Sequence, residues 1–242
     1  EIEVDASDSI WTIFGSAVHS IFEKQEDETF KEESFEVKIG ESVVTGKVDS
    51  YDLENEILMD WKTASVWKVQ FQDFDDWKKQ GLIYSWLLKQ NGLNVKKCRF
   101  IALLKDHSKS KARIDANYPQ SPCFVYEFDV TEKDLDEIEV FIKTKLESIR
   151  KAEEQADEKL EPCSKDERWA TDDKFAVMKE GRKTAIKLFD TREEAEKMLE
   201  TLDDKHWLQE RKGESKKCVD YCVCRDFCPF YKSIKSINAV GD

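Results

Sequence analysis

The chain has 242 residues and a mass of 28.3 kDa, enough for one sizeable core with an appended lobe and too much for a peptide-scale scaffold. Hydrophobic residues at 40% exclude wholesale disorder, while charged residues at 38% imply a surface crowded with ions. The net charge of −13 repels a phosphate backbone at long range, so any nucleic-acid contact has to be local. No apolar run approaches the ~20 residues of a membrane helix, and Glu1 to Asp8 are acidic where a signal peptide would be basic, so a cytoplasmic protein without a membrane partner is expected. Glu1 stands where an initiator Met would, and a preceding segment is expected.

Apolar residues at Ile10, Ile13, Phe14, Ala17, Val18, Ile21 and Phe22 keep helical spacing, with Ser7 or Asp8 as a cap. Three strand-like runs follow, Phe35 to Ile39, Val43 to Leu53 and Glu56 to Thr63, broken by Gly40 and Glu54-Asn55 as in an antiparallel meander. A helix over roughly Phe74 to Gln90 precedes a buried-looking strand, Arg99 to Leu104. After a polar loop with Pro119 and Pro122 come a strand, Phe124 to Val130, and a long charged helix from Glu132 to about Glu158. From Pro162 the pattern gives a hairpin over Phe175 to Phe189 turning at Gly181, a helix from Arg192 to Leu202 and a cysteine-rich tail. This order implies an α/β (α+β) fold with a mixed central sheet flanked by helices. The expected division is a core over 1–130, a bridging helix over 131–160 and an accessory lobe over 161–242 packed on the core.

If Glu54-Asn55 is a two-residue turn, partners across the hairpin have numbers adding to 109, and Asp49 faces Asp60. Opposed carboxylates on neighbouring strands repel unless a cation neutralises them. Lys62 shares a face with Asp60 by alternation, while Trp61 points away and leaves its carbonyl near the pair. About eight acid-x-base triplets arise by chance in this composition, so Asp60-Trp61-Lys62 alone is weak, and a solvated charge cluster is the plain alternative. Asp49 in the facing register strengthens it, as does His19 on the preceding helix, which is otherwise a surface or core histidine. Gln80 and Tyr84 lie one turn apart, with Gly81 allowing close backbone approach, and read equally as core-edge groups. Trp67, Phe71 and Phe74 are expected in the core, with base stacking as the alternative.

Basic runs at Lys105, His107, Lys109, Lys111 and Arg113, at Lys179, Arg182, Lys183 and Lys187, and at Arg211, Lys212, Lys216 and Lys217 are most simply solvated faces. Seven cysteines, four of them within eleven residues near the end of the chain, argue for metal ligation rather than disulfides. Cys218, Cys222 and Cys228 leave one ligand to find, and Cys163 in its polar segment is the choice; Cys224 is an extra. Four thiolates serve a 4Fe-4S cluster or Zn²⁺, and free thiols are the bland alternative. Cys98 and Cys123 are expected to be buried small hydrophobes.

The ordered series His19, Gly46-Lys47-Val48-Asp49, Asp60-Trp61-Lys62 and Gln80-Gly81-Leu82-Ile83-Tyr84 resembles the RecB-like branch of the PD-(D/E)XK nucleases, and is similar to exonucleases encoded in phages and prophages. The likeness extends through Ser108 to Arg113, Glu167 to Ala170, Ala176 to Lys179 and Tyr221 to Pro229, nearly the whole chain. It implies a restriction-endonuclease-like core with a C-terminal cysteine-rich metal-binding lobe. It also implies a Mg²⁺- or Mn²⁺-dependent deoxyribonuclease in which His19, Asp49, Asp60 and the Trp61 carbonyl hold metal. Lys62 would act on the water, and Gln80 and Tyr84 would position DNA or the lysine. Relatives of this branch carry a 4Fe-4S cluster on one distant and three C-terminal cysteines. In them the distant cysteine precedes the nuclease motifs, whereas Cys163 follows them.

Phosphodiester hydrolysis needs an activated water and stabilisation of charge developing on phosphate, which a hard cation on carboxylates supplies. Lys62 could orient the water, neutralise the transition state or accept a proton, and one or two metals would serve. The expectation is therefore a DNA exonuclease acting on linear double- or single-stranded ends, with a phage single-strand annealing recombinase as a further partner. The rivals are a non-catalytic DNA-binding or assembly module on a nuclease scaffold and an iron-sulfur electron-transfer protein.

Overall fold

The computed structural model describes residues 10–22 and 30–238, and divides into two compact units, residues 1–150 and 151–242. In the first unit the order is α1 (Ile10–Phe22), β1 (Phe30–Ile39), β2 (Ser42–Asp52), β3 (Ile57–Ala64), α2 (Val66–Gln70), α3 (Asp75–Gln90), β4 (Lys97–Leu104), α4 (Lys109–Ile114), β5 (Cys123–Asp129) and α5 (Glu132–Glu153). The strands form one sheet in the order β1-β2-β3-β4-β5, antiparallel except for the β3–β4 pair. Only that pair needs a crossover, and α2 and α3 supply it. The result is a mixed five-stranded sheet flanked by helices.

Alternation drives the packing. Leu58, Asp60 and Ala64 of β3 and Cys98, Phe100, Ala102 and Leu104 of β4 are buried, while their neighbours are half-exposed. Helix α3 lies close on this face because two glycines let it. A Cβ on Gly81 would stand 3.0–3.1 Å from Phe128, Cys98 and Phe100, and one on Gly46 would stand 2.6 Å from Leu87 Cδ1. Leu82, Trp86 and Leu87 of α3 then cluster with Leu135, Ile138 and Ile142 of α5.

The β2–β3 hairpin keeps the expected register, with Ser50 opposite Met59 and Asp52 opposite Ile57. Its turn is longer than two residues. Leu53 to Glu56 form a four-residue loop in which Asp52 Oδ1 accepts the N–H groups of Glu54 and Asn55, and Glu56 takes φ +56°. Other differences have local causes. Cys123 begins an edge strand and is exposed. The apolar residues Ile10, Ile13 and Phe14 of α1 are at least 43% exposed, because the helix approaches β3 through Gly15, opposite Thr63. The caps expected at Ser7 or Asp8 lie outside the described residues.

The second unit holds β6 (Lys174–Lys179), β7 (Lys187–Phe189), α6 (Arg192–Leu199), β8 (His206–Arg211), α7 (Lys216–Asp220) and α8 (Pro229–Asn238). Its sheet, β7-β6-β8, is antiparallel and centres on buried Ala176, Val177 and Met178, with Ala195 of α6 also buried. The hairpin turns at Gly181, where φ is +77°. Among the described residues, no helix is long and apolar enough to cross a membrane.

Candidate functional site

Five of the residues singled out in the sequence meet where β2, β3 and α3 come together. The β2–β3 ladder stops at Ser50–Met59. Burial along β2 also loses its alternation there, Ser50 and Tyr51 being buried in succession. Instead of pairing flat across the ladder with Asp60, Asp49 turns into the gap, and its Oδ2 accepts the main-chain N–H of Trp61 at 2.9 Å. The N–H and C=O of one strand residue leave on the same side, so the Trp61 carbonyl faces this gap too.

Asp60 is 3% exposed, and its Oδ2 lies 2.6 Å from Lys62 Nζ. Gln80 ties the elements together: Oε1 accepts from Lys62 Nζ at 2.8 Å, while Nε2 donates to Asp60 Oδ1 at 3.3 Å and to Tyr84 Oη at 3.1 Å. The amide orientation is dictated by charge, since only oxygen can face the ammonium and only NH₂ the carboxylate. Lys62 also lies 5.6 Å from the centre of the Phe100 ring.

Burial pushes the Tyr84 phenol above its usual pKa; the Gln80 hydrogen bond opposes this, and the charges of Asp60 and Asp49 reinforce it. Both carboxylates, on β2 and β3, therefore act on the same α3 hydroxyl, and the phenol keeps its proton. Gly46 of the Gly46-Lys47-Val48-Asp49 segment has a direct role, because a Cβ there would stand 2.9 Å from Cε1 of Tyr84. His19 falls in the third turn of α1, and its side chain lies outside the described residues.

A buried carboxylate beside one ammonium gains from pairing about what it loses in desolvation, so the Asp60–Lys62 pair adds little to stability. Two carboxylates and a main-chain carbonyl are hard oxygen donors suited to Mg²⁺ or Mn²⁺.

The second unit gathers thiols. Arg168 anchors the segment after Cys163 to the tail: its NH1 donates to Ser215 Oγ at 3.3 Å, its carbonyl accepts from Lys217 N at 3.1 Å, and its guanidinium stands 4.1 Å from the Phe230 ring centre. Trp169 packs edge-on against Tyr221. Burial raises the Cys218 thiol pKa, and the neighbouring Cys222, Cys163 and Cys228 raise it further against the pull of Arg168. Cys224 is exposed and is not among the leading influences on Cys218. All seven cysteines are free thiols. Among the described residues, no three His, Cys, Asp or Glu side chains are already gathered as one ion would hold them. Soft thiolates suit iron-sulfur or zinc rather than Mg²⁺.

Sequence reasoning missed α2, α4, β8, α7 and α8, and with α2 its anchor Asp106. Its Oδ1 accepts from Val66 N at 2.8 Å and its Oδ2 from Ser65 Oγ at 2.6 Å, fixing the start of α2 to the end of β4. Of the three aromatics expected in the core, only Phe74 packs there, against Trp77, Phe124 and Tyr126. Trp67 and Phe71 are 55% and 73% exposed, because the other side of α2, with Val66 and Val69, meets the core.

No protein-family model matches the chain, and no curated protein matches it in sequence. Among solved structures it is similar to the protein SSO0001, at 18% identity and a TM-score of 0.40, over 57% of this chain and 60% of that one. It is also similar to a Eubacterium rectale protein provisionally named an exonuclease, at 16% identity and a TM-score of 0.34, over 55% of this chain and 46% of that one. The chain thus spans less than two thirds of either protein. Likenesses this shallow bear on neither chemistry nor substrate.

Proposed function

We propose that the protein is a Mg²⁺- or Mn²⁺-dependent deoxyribonuclease that digests DNA from an end. The observation that carries this reading is the single network in which buried Asp60 holds Lys62 and Gln80 beside Asp49. Asp49, Asp60 and the Trp61 carbonyl would hold the ion, with His19 as a further ligand. When bound, the cation supplies Lewis-acid stabilisation to the phosphodiester under attack.

The remaining chemistry falls to the chain. Lys62 Nζ donates to Gln80 Oε1 and is ion-paired with Asp60 Oδ2, and an ammonium with three N–H groups can still offer a donor to a phosphate oxygen or the attacking water. Held from two sides, the ammonium is pre-oriented, so little reorganisation is needed as charge develops. Gln80 is a positioning residue that acts through Lys62 and Asp60. Tyr84, protonated, can both accept from Gln80 and donate to a phosphate oxygen.

In the second unit, Cys163, Cys218, Cys222 and Cys228 are proposed as ligands of a 4Fe-4S cluster or, failing that, Zn²⁺, with a structural role. Binding there becomes folding energy that ties the Cys163 segment to the tail. The resemblance to phage-encoded exonucleases implies an end-processing role, for which a phage single-strand annealing recombinase is the proposed partner. The test is digestion of end-labelled linear and covalently closed circular DNA with Mg²⁺ or EDTA. Loss of the linear substrate in Mg²⁺ alone, with the circle intact, is expected; attack on the circle, or no digestion, would refute the reading.

A further inference from the structure

We infer that the exposed Trp67–Phe71 pair is a stacking platform for the unpaired bases of a DNA strand that enters or leaves the Asp60–Lys62 site. This rests on the nuclease reading for the identity of the strand, but its test does not depend on hydrolysis.

Trp67 lies in α2 and Phe71 is the C-cap just past its end, one turn on, with ring centroids 5.6 Å apart and planes within 19°. They form a contiguous aromatic step on the water side of a five-residue helix whose other side is already occupied by Val66 and Val69. Nothing in the core requires them. Base faces stack on exposed aromatic rings whatever the sequence, which is how sequence-tolerant single-strand binders hold their ligand.

The step is held rigidly. Ser65 caps the helix by accepting from Trp67 N at 3.3 Å, and Asp106 fixes both Ser65 and Val66. At the far end Lys68 Nζ reaches Asp76 at 2.7 Å and lies 5.2 Å from the centre of the Trp77 ring, clamping α2 to the start of α3. Little freedom remains to be lost when a base arrives.

Position and charge name the ligand. Ser65 is three residues beyond Lys62, so α2 begins about 10 Å along the strand from the lysine. The Asp106 anchor sits within the run Lys105, His107, Lys109, Lys111 and Arg113, and α4 beyond it contains no acidic residue. His107 is bound to the Pro119 carbonyl at 2.7 Å and Ser108 N donates to Tyr118 Oη at 2.9 Å, so this basic segment is fixed in place. Of the acidic groups near α2, Asp73 and Asp76 face Lys68 at 3.9 and 2.7 Å, and Asp106 is taken up by Ser65 and Val66. An aromatic step beside a basic helix, in a chain of net charge −13, suits a nucleic-acid strand better than another copy of the same acidic chain.

The experiment is fluorescence anisotropy with a labelled thymidylate of about 12 nucleotides, within the footprint of known single-strand binders, and with an abasic strand of equal length, both in EDTA. Trp67→Ala/Phe71→Ala should weaken thymidylate binding about tenfold or more and leave abasic binding unchanged. Trp67→Phe should retain affinity, whereas Phe71→Leu, which keeps apolar bulk but no ring, should lose it. The salt slope should survive the aromatic changes and shrink in Lys109→Gln/Lys111→Gln. Equal thymidylate affinity in wild type and double variant, an equal loss on the abasic strand, or no wild-type binding would overturn the inference. So would a dimeric wild type that the double variant turns monomeric. A protein that shows the binding pattern but never hydrolyses DNA would refute the nuclease reading and leave the platform standing.

Discussion

Asp49 Oδ2 accepts the Trp61 N–H at 2.9 Å at the point where β2 and β3 cease to pair. A side chain thus takes the place of a ladder bond, and the gap it spans is where the second carboxylate, the lysine and a main-chain carbonyl converge. Removing the acceptor should open this corner. Asp49→Ala leaves the Trp61 N–H without that partner and should lower stability by about 1–3 kcal/mol, read as the urea midpoint, as well as abolishing Mg²⁺-dependent digestion. Unchanged stability would show that the bond holds nothing together.

Gln80 makes its case through what it orients. Gln80→Ala should lower the Mg²⁺-dependent digestion rate about 10- to 100-fold while the fold is retained, the range seen when groups that orient metal ligands are removed. The loss should fall on kcat more than KM, because Lys62 loses its aim rather than the substrate its contacts. An equal loss in a catalytically idle property such as Tm would point to a merely structural amide.

Gly46→Ala tests how closely α3 must lie on β2. A Cβ 2.6 Å from Leu87 Cδ1 and 2.9 Å from the Tyr84 ring has to displace one of them. Overpacking of this kind costs about 1–3 kcal/mol, or roughly 3–10 °C in Tm by differential scanning calorimetry. Digestion should fall as well, since Tyr84 is one of the groups pushed aside. Wild-type Tm and rate would mean that α3 yields freely.

Cys98 gives a pH signature. Burial raises its thiol from 9.0 to about 12, with a hydrogen bond to Ser85 opposing and Asp60 reinforcing the shift. The folded state then holds a proton that the unfolded chain releases between pH 9 and 12, so this contribution is complete below pH 9 and is lost as pH rises towards 12. The fall in urea midpoint between neutral pH and about pH 10.5 should be smaller in Cys98→Ser than in wild type. Identical curves would contradict the assignment.

The cysteine proposal separates five tail-associated thiols into four ligands and one bystander. Cys163→Ser, Cys218→Ser, Cys222→Ser or Cys228→Ser should each cut the iron or zinc content, and metal removal should destabilise the second unit. Cys224→Ser should do neither, because Cys163, Cys222 and Cys228, and not Cys224, are the thiols that raise the Cys218 pKa most. Equal loss from Cys224→Ser would redraw the ligand set.

Much of this arrangement is legible in the sequence. The β2–β3 register follows from a short polar break between two apolar strands, and it survives a four-residue turn because Asp52 closes the loop in the same register. Gln80 and Tyr84 are readable because helical spacing alone puts them on one face. What escaped depends on long-range closure. Asp106 reaches back forty residues to cap α2, and nothing local announces it. The outward aromatic face of α2 is invisible for a related reason: a five-residue helix is too short to show which side meets the core, so its aromatics read as buried. Strand β8 was missed because, as an exposed edge strand, it carries charged residues where a buried one would alternate.

The most direct measurement is Mg²⁺-dependent hydrolysis of an end-labelled linear duplex by the wild type and by Asp60→Asn, a near-isosteric change that keeps the Gln80 contact and removes the charge. The wild type should release nucleotides from the end, and the variant, folded by circular dichroism, should release none. A folded Asp60→Asn protein that digests DNA at the wild-type rate would contradict the account at its centre.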